Sequence, residues 1–114
     1  MGRVGDRATF DAFRLHGRRA RRGPMTVVHV AGGDQVRVAY AIGRKVGPAV
    51  ARNRLRRQLR AAVREIHRDD GLVPGAYLVS ARSDAVGRPY RDLRSDLAAA
   101  LAAAAADPGA RAAP

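Results

Sequence analysis

The chain has 114 residues and no cysteine, and its 22 Lys and Arg against 10 Asp and Glu leave a net charge of +12. That length fits one domain, disulfides and thiolate metal sites are excluded, and so positive a surface repels itself unless a polyanion neutralises it. No stretch is long and apolar enough to span a bilayer, and Arg3, Asp6 and Arg7 interrupt any signal-peptide core, so a soluble cytoplasmic protein is expected.

Residues 1–5 read as frayed. Asp6 can cap a first helix running to about His16, with Phe10 and Phe13 on one side and Gly17 as its stop. Arg18, Arg19, Arg21 and Arg22, followed by Gly23 and Pro24, read as a basic loop. Met25 to Ala31 is short, β-branched and apolar, which predicts a strand. Gly32-Gly33-Asp34 predicts a turn. In the next strand Val36, Val38, Tyr40 and Ile42 alternate with Arg37, Ala39, Ala41 and Gly43. The two strands are expected to pair as a hairpin.

Gly47-Pro48 announces a helix from Pro48 to about His67, closed by Asp69-Asp70-Gly71. Gly75 to Arg82 is a further strand, and the consecutive apolar Tyr77, Leu78 and Val79 suit burial on both faces. Pro89 opens a last helix carrying Tyr90, Leu93, Leu97 and Leu101 at helical spacing. Asp107-Pro108-Gly109 stops it. One domain over 1–106 and a disordered tail over 107–114 are therefore predicted.

The long central helix departs most from ordinary sequence rules. At about 100° per residue, Ala51, Leu55, Leu59, Ala62, Val63 and Ile66 form one apolar stripe. Asn53, Arg57, Arg60 and Arg64 lie nearly opposite; Arg52 and Arg56 flank the stripe on one side and Arg54 on the other. Arg52, Arg56, Arg60 and Arg64 make an unbroken i,i+4 row of like charge, each pair costing roughly 0.2–0.5 kcal/mol. Glu65 is the only acid between Pro48 and His67. Arg52 and Arg54 also oppose the helix dipole, with Arg44 and Lys45 just ahead of them. Local rules broken together without compensation mark a functional surface, and a nucleic-acid backbone would supply the missing charge. From charge alone RNA, DNA and anionic membranes all stay open, as does a merely solvated basic face.

The stretch from Ile42 to Arg60 (IGRKVGPAVARNRLRRQLR) resembles the signature of the ribonuclease P protein family: two basic residues after a strand, a glycine, small residues, then an R-N-R helix with further basic residues. Phe10 to Gly17 resembles the family's first helix, and Gly75 to Arg82 its late hydrophobic strand. The resemblance implies an α+β two-layer sandwich, a small mixed β-sheet packed by helices in the ribosomal protein S5 domain 2-like class. It also implies a left-handed βαβ crossover, where general rules favour a right-handed one. The implied function is that of the protein subunit of ribonuclease P, which helps a catalytic RNA remove the 5′ leader from precursor tRNA. The implied partners are that RNA and the leader, with no membrane and no DNA.

By the same resemblance Arg52, Asn53, Arg54, Arg56, Arg57 and Arg60 lie in or beside the RNA-contacting helix. Arg64 continues its row, and Arg44 and Lys45 extend the surface. Phe10 and Phe13 are candidates for a leader-binding cleft, where aromatic rings stack on bases of any sequence; core packing is the alternative for both. Arg14 stands where many relatives carry a second aromatic and can stack as a guanidinium plane or point to solvent. Arg44-Lys45 replaces a common Lys-Lys.

No catalytic residue is expected in the protein. His16, His29 and His67 fall on separate elements; His16 and His67 suit helix C-termini as protonated rings, and His29 is expected to face solvent or the cleft. Asp69-Asp70 reads as a turn, with a magnesium site shared with RNA as the second reading. No metal or cofactor is expected on the protein alone, magnesium entering the holoenzyme through RNA. The competing function is a structural RNA-binding protein of ribosomal type. A DNA-reading helix is disfavoured because its face would carry mixed polar residues.

Overall fold

The computed structural model describes residues 1–106, so the predicted tail over 107–114 lies outside the described residues. The elements are β1 (Gly2–Arg3), α1 (Arg7–His16), β2 (Arg18–Arg22), β3 (Met25–Ala31), β4 (Val36–Ala41), α2 (Ala49–Asp70), β5 (Gly75–Ala81) and α3 (Tyr90–Ala105). Short 3₁₀ turns cover Arg44–Val46 and Ser83–Ala85. The five strands form one mixed sheet in the order β1-β4-β5-β3-β2.

Helices α2 and α3 cover one sheet face. Leu55, Leu59, Val63 and Ile66 of α2 and Leu93, Leu97 and Leu101 of α3 meet Met25, Val27, Val38, Tyr77 and Val79 in the main core. Each such aliphatic side chain contributes about 1.5–3 kcal/mol by leaving water. On the other face α1 closes a smaller cluster of Val4, Phe13, Val28, Ala39 and Ala76. The expected α+β sandwich holds, with α1 adding a thin layer behind the sheet. α1 starts as predicted: the Asp6 carboxylate accepts from the Thr9 hydroxyl at 2.6 Å and the Thr9 N–H at 3.0 Å. It ends where Gly17 lets the chain lie against β3; a Cβ there would strike the Val28 side chain and the Phe13 carbonyl.

Three expectations about the strands are corrected. Residues 1–5 are not frayed: Gly2 and Arg3 pair in parallel with Arg37 and Val38, and Val4 is buried. The basic segment Arg18–Arg22 is a strand, not a loop. It pairs antiparallel with β3 across the Gly23-Pro24 turn, from Arg18 opposite His29 to Arg22 opposite Met25, and Gly23 takes the positive φ of 55° that the turn needs. An edge strand tolerates such charge, because only Ala20 packs on the core. Finally, β3 and β4 do not form a hairpin. β5 enters between them, antiparallel to β3 and parallel to β4. Its apolar run explains why: Tyr77 and Val79 face the main core while Ala76 and Leu78 face the smaller cluster, and only an interior strand buries both faces. The β4–α2–β5 unit thus joins two neighbouring parallel strands and sets α2 beside the β4 end of the sheet.

Candidate nucleic-acid interface

The ion pairs decide whether the fold neutralises its own cationic helix. Among the described residues, carboxylates pair with Arg14, Arg37, Arg68, Arg82, Arg88 and Arg94. None of these arginines belongs to the Arg44–Arg64 segment. Glu65, the first acid of that helix, turns away to Arg94 of α3 at 3.1 Å. The guanidinium groups of the α2 face therefore have no anionic partner within the described residues.

They do not all stand free. Arg52 and Arg56 are half-buried and fasten the connection ahead of the helix. The Arg52 Nε donates to the Gly47 carbonyl at 3.1 Å. Arg56 donates to the Ile42 carbonyl at 3.0 Å and to the Asn53 side-chain oxygen at 3.1 Å. Both thus keep their charge at the surface while serving the fold. Asn53, Arg54, Arg57, Arg60 and Arg64 are exposed, as are Arg44 and Lys45 on the 3₁₀ turn. Arg54 lies on the side towards Val86 and Arg88, away from Arg60 and Arg64.

Arg56, Arg60 and Arg64 form one wall of an open groove of about 580 Å³. Phe10 of α1 lines it opposite, with Val38, Ala39 and Tyr40 of β4 and residues 1–4 between. The groove exists because β1 pairs with only the first half of β4, leaving Tyr40 without a strand neighbour on that side. The Arg60 guanidinium sits 5.5 Å from the centre of the Tyr40 ring. Burial pushes the Tyr40 hydroxyl up to about 12, opposed by the positive charges of Arg60 and Arg64, so it is a neutral donor in this basic groove.

The three aromatic-cleft candidates separate. Phe10 is 41% exposed and lines the groove. Phe13 is 5% exposed and belongs to the core beneath α1, packing edge-on against Phe10 with ring centres 5.8 Å apart. Arg14 points outward and pairs with Asp11 at 2.8 Å. Neither Phe13 nor Arg14 is among the groove's lining residues. Tyr40, Arg3 and Val4 line it without having been singled out from sequence. Tyr40 occupies an apolar position of an alternating strand, which reads as core, and a two-residue strand leaves no periodicity to read.

Two of the three histidines, His29 and His67, and several of the acids are otherwise engaged. His29 is buried, against the expectation of a ring facing solvent or the cleft: it stacks on Tyr77 with ring centres 4.4 Å apart, and its Nε2 lies 3.2 Å from the Pro74 carbonyl. Burial holds its pKa below the usual 6.5. The His67 Nδ1 accepts the Leu72 N–H at 3.1 Å, so the ring serves the end of α2. Asp69 pairs with Arg68 and Arg94. Among the described residues no three His, Asp or Glu side chains gather as a metal-ligand set, and no helix is long and apolar enough to cross a membrane.

The family model described as Ribonuclease P matches residues 2–105. The chain is 44% identical over 71 residues to the ribonuclease P protein component of Paramagnetospirillum magneticum, covering 60% of this chain and 51% of that one. It is 38% identical over 104 residues to that of Bartonella quintana, covering 83% and 77%. The chain thus spans about half the length of the first relative and about three quarters of the second. Among solved structures, the Staphylococcus aureus RNase P protein superposes with a TM-score of 0.76 at 21% identity, over 89% of this chain and 93% of that one.

Proposed function

The chain belongs to the ribonuclease P protein family, and from that premise we propose that it is the protein subunit of ribonuclease P, assisting a catalytic RNA in removing the 5′ leader from precursor tRNA. The observation that carries the reading is the α2 face whose arginines have no carboxylate partner among the described residues, beside a groove that holds Phe10 and Tyr40. Phosphates of an RNA complete the charge of that face, and ring faces in the groove stack on unpaired bases whatever their sequence.

In this reading two RNAs meet the protein. Asn53, Arg54 and Arg57, with Arg44 and Lys45, contact the catalytic RNA. The single-stranded leader runs through the groove past Phe10, Tyr40, Arg60 and Arg64. The protein screens repulsion between the two RNA backbones and binds a part of the substrate that the mature product lacks. Binding energy from this non-reacting segment then favours precursor over product.

Chemistry at the scissile phosphate is assigned to the RNA. Support comes from the engaged state of four of the protein's acid–base groups: His29 buried, His67 accepting a backbone N–H, and Asp69 and Glu65 paired with arginines. Among the described residues the carboxylates do not gather as a metal-ligand set; in this reading magnesium takes its ligands from RNA phosphates and bases.

The test is reconstitution with the cognate catalytic RNA at low magnesium. Leader-bearing precursor should be cleaved faster with the protein than without it. Equal rates would overturn the reading.

A further inference from the structure

Unpaired cations gather in a second place, remote from the groove. β2 carries Arg18, Arg19, Arg21 and Arg22 in five residues at the outer edge of the sheet. No carboxylate pairs with any of the four among the described residues. Even Asp96, which lies against the turn that ends the strand, is taken by Arg88 at 3.3 Å. Two strands, β5 and β3, separate β2 from β4 and its groove. At about 4.8 Å per strand step the two sites stand roughly 14 Å apart, more than a Debye length of about 8 Å at physiological salt. The β2 cluster is therefore not the rim of the groove but a field of its own.

We propose that β2 is a second RNA-contacting surface, which takes the phosphate backbone of the catalytic RNA along the sheet edge while the groove holds a single strand; this rests on the ribonuclease P reading above. The geometry suits a backbone rather than a base pocket. Arg19 and Arg21 lie on one face, opposite Val28 and Thr26, about 7 Å apart along the strand, close to the step between successive phosphates. Arg18 and Arg22 lie on the other face, beside His29 and Met25. A guanidinium fork grips phosphate oxygens in pairs, and the strand's outward N–H groups, with no neighbouring strand among the described residues, add donors for the same oxygens. The surface offers no aromatic ring, so it would hold its partner by charge and not read sequence.

Charge on an edge strand also deters sheet-to-sheet association, and the experiment separates the two roles. The full chain and the variant R19Q/R21Q are titrated against the transcribed catalytic RNA and against a short single-stranded oligoribonucleotide, over a range of salt. The glutamine pair should weaken the catalytic RNA by about tenfold or more and lower the log–log salt slope by about two, one for each lost phosphate contact. Binding of the oligoribonucleotide should stay unchanged, and R19K/R21K should restore most of the affinity. R18Q/R22Q serves as the second variant should R19Q/R21Q melt early. Self-association of the glutamine variant at unchanged RNA affinity would show that the arginines only guard the edge, and would overturn the proposal. If R54A/R57A on α2 weakens the catalytic RNA while neither β2 pair does, the proposal fails and the family reading stands. If none of the three affects it, the RNA-contact reading fails as well.

Discussion

Arg60 of α2 and Tyr40 of β4 meet across the groove, the guanidinium 5.5 Å from the ring centre. The contact orders a long side chain that would otherwise sweep solvent, and it leaves the ring and the charge facing the same space. Such a pair is worth about 0.5–1 kcal/mol at a partly exposed site. With an RNA base stacked there, about 1–3 kcal/mol more depends on the ring. Tyr40→Leu should therefore weaken a single-stranded oligoribonucleotide by at least about fivefold. Tyr40→Phe, which keeps the ring, should bind nearly as wild type. Fluorescence anisotropy measures both, and equal losses would show that the hydroxyl carries the contact.

Arg56 and Arg57 are neighbours with different duties. Arg57→Ala removes an exposed charge with no partner among the described residues and should leave the melting temperature within about 2 °C of wild type while flattening the salt dependence of RNA binding. Arg56→Ala strips the Ile42 carbonyl of its donor. Its cost of about 1–3 kcal/mol should appear as a melting temperature lower by several degrees. Thermal unfolding of the two variants side by side checks the contrast.

Phe10 and Phe13 differ in the same way. Phe13→Ala empties a core position and should cost about 3–5 kcal/mol. Phe10→Ala should cost far less stability but reduce the preference for leader-bearing precursor over mature tRNA. Urea unfolding together with competition binding separates the two effects. A Phe10 variant that discriminates normally would remove Phe10 from leader binding.

His29 sets a pH dependence whose sign follows from burial. Its native pKa lies below the usual 6.5 because the buried ring is held neutral. Below about pH 6.5 the unfolded chain takes up a proton that the native one refuses, so stability falls as pH drops, by at most about 1.4 kcal/mol per pH unit. The loss continues until the native pKa is reached. Asp6, Asp69 and Asp84, held below the usual 3.8 chiefly by the Thr9 hydroxyl, Arg68 and Arg82 respectively, act only in a more acid window. Wild type should lose stability between about pH 7.5 and about pH 5.5, and His29→Gln should lose much less. Parallel denaturation at the two pH values checks it; identical losses would assign the effect elsewhere.

Much of this could be read from the chain. The three helices, the central strand run and the apolar stripe of α2 follow from periodicities that tertiary packing did not override, and the arginine-rich face was visible as charge without compensation. What could not be read depends on distant partners. β2 looked like a loop because local rules see four arginines and miss that Ala20 alone meets the core. The β3–β4 hairpin is expected because a Gly-Gly-Asp turn between two strands fits one; the apolar run of β5 asks for burial on both faces, but which strands flank it is settled only when all strands compete for the interior. Tyr40 read as core, and only the early end of β1 opens the space beside it. Phe10 and Phe13 share a helix side, yet three residues of rotation put one in the groove and the other under α1.

The insertion of β5 between β3 and β4 has a consequence for biosynthesis. Two strands leave the ribosome early and must wait, with both adjoining edges open, until α2 and then β5 have been made. The nascent sheet cannot close in the order of its translation, so native contacts form late and at long chain separation. A chain truncated before Gly75 should show no amide protection in β3 or β4 by hydrogen exchange. In the cell that interval leaves a highly cationic, half-built protein among the ribosome's own RNA.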